Sequence, residues 1–273
     1  MYTKLPIFIV VIAIGILGLF FRGSVVRMLH FGQDVPPPSV VVPAPGAETG
    51  TTTKVISPTT TDKNPAPPEV AVPPYHGRAL DEIRPILAEV NVFSGAEREE
   101  IYGQISTYAK GVTENPDYFF WLIQVGLLKK VIGDYIGARD AWEYAGMIRP
   151  ANSVSFANLG ELYWHYLSDF PKAEMNFKKS IQNKPDDPAT YQSLADLYWY
   201  SLKEKADQAS EILKQGIAAN PGDVNLIKAL AALYQRQNDY PNALLWWQKV
   251  LESEPNNTGV AQEIDMLKKK INN

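Results

Sequence analysis

Along the last two thirds of the chain, apolar residues recur three and four positions apart, the spacing that lines one face of a helix. Prolines punctuate this pattern at Pro116, Pro150, Pro185, Pro221 and Pro255, which by subtraction lie 34, 35, 36 and 34 residues apart. A helical pattern with regular stops at that period predicts an array of helical pairs, each too small to bury its apolar face alone. Two more helices are expected ahead of the array. One covers Ala79 to Val90, with Leu80, Ile83, Leu87 and Val90 on one side and Pro85 kinking it or sitting in its first turn. The other starts at a capping box, Ser94 with Glu97, carries Ile101, Ile105 and Tyr108, and is expected to end at Gly111 and Asn115-Pro116. After Pro255, Thr258 to Lys270 places Val260, Ile264 and Leu267 on one face and ends in Lys268, Lys269 and Lys270. That is the form of a closing helix, with cations at its carboxyl end.

The first 77 residues follow other rules. Leu5 to Phe21 contains no charge and is flanked by Lys4, Arg22 and Arg27. Its 17 residues span about 25 Å as a helix, at the short end for a bilayer core. An uncleaved anchor is the preferred reading. A cleaved signal peptide is the rival, against which stand Leu19, Phe20, Phe21 and Arg22 where small residues should follow. From residue 31 to 77 prolines alternate with threonine runs (Thr51 to Thr53, Thr59 to Thr61). Such a segment has too little apolar mass to collapse, and about 47 residues of polyproline II reach roughly 145 Å. It reads as a disordered stalk. Basic residues balance across the apolar run, so the positive-inside rule does not orient it. The stalk favours an extracytoplasmic repeat domain, and the cytoplasmic side stays open. The expected organisation is therefore 1–30 anchor and flanks, 31–77 linker, 78–115 lead-in helical pair and 116–273 repeat domain with its closing helix.

Composition narrows the function. There is no cysteine, which removes disulfides, thiolate metal sites and a thiol nucleophile. Net charge is −4, with six basic and four acidic residues in 1–78 (+2) and 20 and 26 in 79–273 (−6), so no basic footprint for nucleic acid exists. The three histidines, His30, His76 and His165, have no second ligand at metal spacing, and neither a G-x-S-x-G elbow nor a glycine-rich phosphate loop occurs. Asp186-Asp187 and Glu99-Glu100 read as solvated helix starts and faces. No catalysis, metal, cofactor or small-molecule substrate is expected.

Within the array the residues resemble the tetratricopeptide repeat (TPR): a large apolar residue, Leu-Gly, Tyr, a small Ala, an aromatic and Pro. The first unit reads Leu122, Val125-Gly126, Ala138, Trp142, Ala145 and Pro150, with Lys129 where the tyrosine belongs. The second reads Phe156, Leu159-Gly160, Tyr163, Ala173, Phe177, Ser180 and Pro185. The third reads Tyr191, Leu194-Ala195, Tyr198, Ala209, Leu213, Gly216 and Pro221, and the fourth Ile227, Leu230-Ala231, Tyr234, Ala243, Trp247 and Pro255. Extra residues near Ser168-Asp169 and Lys203 to Lys205 are expected in loops. The resemblance implies an all-α, right-handed helical-hairpin solenoid of about four repeats plus lead-in and capping helices, preceded by a transmembrane helix and a disordered linker.

In that family the first helix of each pair lines a concave groove. Carried over residue by residue, the resemblance puts Phe120, Ile123 and Leu127 there, then Ala157, Glu161, Trp164 and His165. Gln192, Asp196, Trp199 and Tyr200 follow, with Lys228, Gln235 and Arg236. Partner binding is assigned to Glu161, Trp164, His165, Asp196, Trp199, Tyr200 and Lys228. Aromatics beside carboxylates suit an extended peptide with apolar and basic side chains. Packing of the same aromatics between repeats is the competing reading. The family's carboxylate clamp for chaperone tails is missing, since Ile123, Leu127, Ala157 and Glu161 stand at its places. The expected function is a membrane-tethered adaptor or scaffold for a protein or peptide partner, and the alternative is a structural accessory subunit of an envelope assembly or secretion complex.

Overall fold

A computed structural model describes residues 72–86, 88, 91–115, 117 and 119–272. The expected anchor at Leu5 to Phe21, the linker up to residue 71 and Pro116 lie outside the described residues. Among the described residues no helix is long and apolar enough to cross a membrane. Contacts divide the chain into two compact units: Met1–Val72 with Asn91–Ile101, and Pro73–Val90 with Tyr102–Asn273. In the first, the described residues start helix α1 (Gly95–Glu114) with the capping box predicted from sequence. The Glu97 amide donates to Ser94 Oγ at 3.3 Å, and Glu97 Oε2 accepts from the Ser94 amide at 2.7 Å.

The second unit is a stack of helical pairs, all-helical among the described residues. It comprises α2 (Phe119–Val131), α3 (Tyr135–Ile148), α4 (Val154–His165), α5 (Phe170–Asn183), α6 (Pro188–Tyr200), α7 (Ala209–Ala219), α8 (Val224–Arg236), α9 (Tyr240–Ser253) and α10 (Thr258–Asn272). A 3-10 turn, Lys203–Gln208, occupies the insertion expected between α6 and α7. The most intimate neighbours are the pairs α2 with α3, α4 with α5, α6 with α7, and α8 with α9.

Each pair is closed by its proline. The cap residues Arg149, Lys184, Asn220 and Glu254 leave helical geometry at ψ 71°, 88°, 70° and 66°. Each directly precedes Pro150, Pro185, Pro221 or Pro255, whose ring disfavours the helical region for the residue before it. Starts are set by aspartates. Asp134, Asp169, Asp223 and Asp239 each accept from the amide three residues on and satisfy a helix donor that would otherwise be orphaned.

Helices cross where small residues meet. A Cβ on Gly126 would overlap the Trp142 indole, and one on Gly160 the Phe177 ring. Ala138, Ala173, Ala195, Ala209, Ala231 and Ala243 are all buried. The closing helix behaves as expected, with Val260, Ile264 and Leu267 buried and the first two in one cluster with Ile227 and Val250.

Two expectations are corrected. Of the described residues in the expected first lead-in helix, 79–86 are not helical and Ala88 is. Pro85 lacks a donor and restricts Arg84, and the backbone instead bonds to the first repeat: the Ile86 amide donates to Ile132 O at 2.9 Å, and Lys129 Nζ donates to Glu82 O. Gly111 does not stop α1, which runs on to Glu114. Its missing side chain makes room for the Trp121 ring.

The strap 73–86 is held by charge. Lys129, at the position where the repeat pattern wants tyrosine, is 1% exposed and pairs with Asp134 at 3.2 Å. Arg78 also reaches Asp134, and its amide donates to Asp140 at 3.1 Å. Tyr144 Oη donates to Pro73 O at 2.9 Å.

The next two repeats keep the tyrosine and give it a carboxylate. Tyr163 Oη donates to Glu143 at 2.5 Å, and Tyr198 Oη to Glu174 at 2.8 Å. Burial alone would raise the Glu174 pKa, but hydrogen bonds from Lys178, Lys205 and Tyr198 outweigh it and hold it at about 2, below its ordinary 4.5. A depressed carboxylate contributes stability that is present above its unfolded pKa and is lost as pH falls toward its folded one. Acidification from pH 4.5 to about 2 is therefore expected to remove roughly 2–3 kcal/mol at this group. Urea unfolding of Glu174→Gln near neutrality and at the acid end of this window should show lower stability near neutrality and a smaller acid loss; an unchanged pH dependence would contradict this role.

Candidate functional site

The residues assigned to partner binding lie on the first helices of three successive pairs. Glu161, Trp164 and His165 are one helical turn apart on α4, and Asp196, Trp199 and Tyr200 repeat the same offsets on α6. Lys228 is on α8. Adjacent first helices touch, α4 with α6 and α6 with α8.

Their surroundings differ. Glu161 accepts from Ser193 Oγ at 2.6 Å and lies 3.2 Å from His165 Nε2, so its carboxylate is engaged on both oxygens. Trp164 is half-buried, stacks on His165 with centroids 4.0 Å apart, meets Phe177 edge-on, and donates from Nε1 to Ser201 Oγ at 2.8 Å. It ties the second repeat to the third. Lys228 pairs with Glu254 at 2.7 Å. Of the other residues carried over from the family, Ile123 is buried in the core while Phe120 is 52% exposed.

Asp196 and Tyr200 stand apart. They open onto a cleft of about 110 Å³ between α6, α7 and α8, lined by Gln192, Ala195, Asp196, Tyr200, Ala232 and Arg236 among others. Alanines on both first helices give the cleft its depth. Asp196 is half-buried. Burial pushes its carboxyl above the usual carboxylate range and the charge of Glu161 adds to this, while Arg236 and a hydrogen bond from Gln192 oppose it. Among the described residues no cation comes within ion-pair distance of it. Tyr200 is half exposed, with Arg236 5.7 Å from its ring centroid and Lys203 5.9 Å.

Sequence reasoning missed Lys130, which stands in the register of Trp164 and Trp199. Burial lowers its pKa and the nearby Glu161 raises it, so the first repeat sends a cation toward the acidic stretch. The substitution of lysine for an aromatic at that register was the available signal. A second, more open hollow of about 540 Å³, lined by Phe156, Met175, Asn176, Lys178, Lys179 and Gln182, was also not anticipated. Although larger, it is the weaker candidate, because it is the more open of the two and Lys178 there already serves Glu174.

No protein-family model matches the chain, and no curated protein matches it in sequence. Solved structures do. Two crystal structures of MamA superpose with a TM-score of 0.50 at 18% identity, covering 60% of this chain and 94% and 88% of theirs. YrrB, described as a TPR protein with an unusual peptide-binding site, aligns at TM-score 0.47 and 14% identity over 61% of this chain and 84% of its own. The all-helical array takes a TPR-like solenoid fold, and at these identities the likeness extends to the fold alone.

Proposed function

We propose that this protein is an interaction scaffold that captures a protein or extended peptide along the first-helix face of its repeats, without catalysis. The observation that carries the reading is the cleft at Asp196: polar groups from two successive first helices converge on a small-residue floor beside a half-exposed tyrosine. Such convergence in a concave site is what recognition needs, and rigid aromatics supply contact area at low entropic cost. The apolar run Leu5 to Phe21 is read as a membrane tether. Retention of that segment in the mature chain and fractionation with membranes support the tether; an amino terminus near Gly23 removes it.

Tyr200→Ala is expected to weaken partner or peptide capture about tenfold, with little change in melting temperature because the ring is half exposed. Trp164→Ala should instead lower the melting temperature, since the indole joins two repeats. Titration calorimetry and differential scanning calorimetry on both variants separate the two roles. The reading fails if Tyr200→Ala binds like the parent chain.

A further inference from the structure

The geometry points to the Asp196 cleft as a subsite for a lysine or arginine side chain of the bound peptide, with Arg236 acting as the chain's own competitor for that place. This inference rests on the groove-binding reading above. Two carboxylates face this part of the groove, and they are not equivalent. Glu161 is engaged by Ser193 and His165. Asp196 is half-buried, hydrogen-bonded only by Gln192, and has no ion pair among the described residues. A half-buried carboxylate with no ion pair among the described residues, and only the more distant charge of Arg236 to offset its burial, gains from an incoming cation.

Every element around it has a consistent part. From α4, Glu161 adds a second negative charge. From α6, Gln192 orients the carboxylate and Tyr200 offers a ring face. From α7, Leu213 supplies an apolar wall, and from α8, Ala229 and Ala232 leave room for an aliphatic stem. Among the described residues, Arg236 is the only cation lining the cleft. It is exposed and lies over the Tyr200 ring, outside ion-pair distance of Asp196. Lys203 approaches the same ring from the following turn. The chain thus already shows what this aromatic wall attracts, a cation over its face. An exposed guanidinium is solvated by water and has little unmet demand, whereas the half-buried carboxylate does not share that compensation. Complementarity therefore selects a basic side chain over an acidic one.

The test is a selection from a random dodecapeptide phage library on the immobilised full chain, followed by affinity measurements on the selected peptides. Peptides that lose binding to Tyr200→Ala define the groove binders. They are expected to share a lysine or arginine, to bind Asp196→Asn about tenfold more weakly and Arg236→Gln more tightly, and to lose affinity when that basic residue becomes glutamine. Asp196→Asn should melt no lower than the parent chain, because it removes a poorly compensated charge; Arg236→Gln alters an exposed residue and provides the readout if the first variant misfolds. Groove binders that are acidic or lack a basic residue, or that ignore both substitutions, overturn the subsite while leaving groove binding intact. A selection that yields no groove binder overturns both.

Discussion

Replacing Asp134 by alanine is expected to cost roughly 3–5 kcal/mol of unfolding free energy, with about 1 kcal/mol more for the lost helix cap. Asp134 is 4% exposed and answers to three partners: Lys129 Nζ at 3.2 Å, the Arg78 guanidinium, and the Gly137 amide at 3.0 Å. Removing it leaves an ammonium that is 1% exposed facing only the Glu82 carbonyl. Deleting the partner of a buried charge is far more damaging than never having built the pair. For that reason Lys129→Met should be much milder, since Asp134 keeps Arg78 and the cap. Removal of residues 73–86 should approach the cost of Asp134→Ala, because Lys129 and Asp140 lose their partners on the strap. Chemical denaturation of the three variants gives the ordering, and a Lys129→Met variant as damaged as Asp134→Ala would show that the network is not what holds this end.

Trp142→Ala is expected to be the most damaging single change in the array's apolar core, at about 3–5 kcal/mol. The indole is fully buried, lies against the α-carbon of Gly126, and donates to Ile123 O at 3.1 Å. Truncation opens a cavity between α2 and α3, while the Ile123 carbonyl keeps its place within helix α2, so the cavity carries most of the cost. Gly126→Val should damage the same crossing from the other side by forcing the helices apart. Calorimetric unfolding reports both, and a Trp142→Ala chain within 1 kcal/mol of the parent would refute this account of the crossing.

The features legible in the amino-acid sequence alone are local ones. The spacing of apolar residues marks helices, prolines after cap residues mark their ends, and Ser94 with Glu97 marks a start, because each of these signals acts within one turn of backbone. The small residues at Gly126, Gly160, Ala195 and Ala231 mark crossings for a related reason: close approach needs a missing side chain wherever the partner helix lies. Even the closing helix is readable from Val260, Ile264 and Leu267.

Local rules fail where a residue's role depends on something distant in sequence. The spacing of Leu80 and Ile83 fits a helix, yet that segment is a strap, because its backbone groups find partners on the Lys129 side chain of α2 and on the turn after that helix. Gly111 has the look of a helix stop until Trp121 is placed against it.

At the candidate site, the face is implied by the resemblance, but Glu161 and Asp196 are both carboxylates at equivalent positions, and the sequence does not rank them. Stacking of one repeat on the next separates them, bringing Ser193 to Glu161 while leaving Asp196 half-buried beside Tyr200 with no ion pair among the described residues. Periodicity and caps are written into neighbouring residues, and so the array can be read from them. Whether a charge is paired, and whether an aromatic is a wall or a surface, depends on the reach of side chains across repeats, which arises when the helices are stacked.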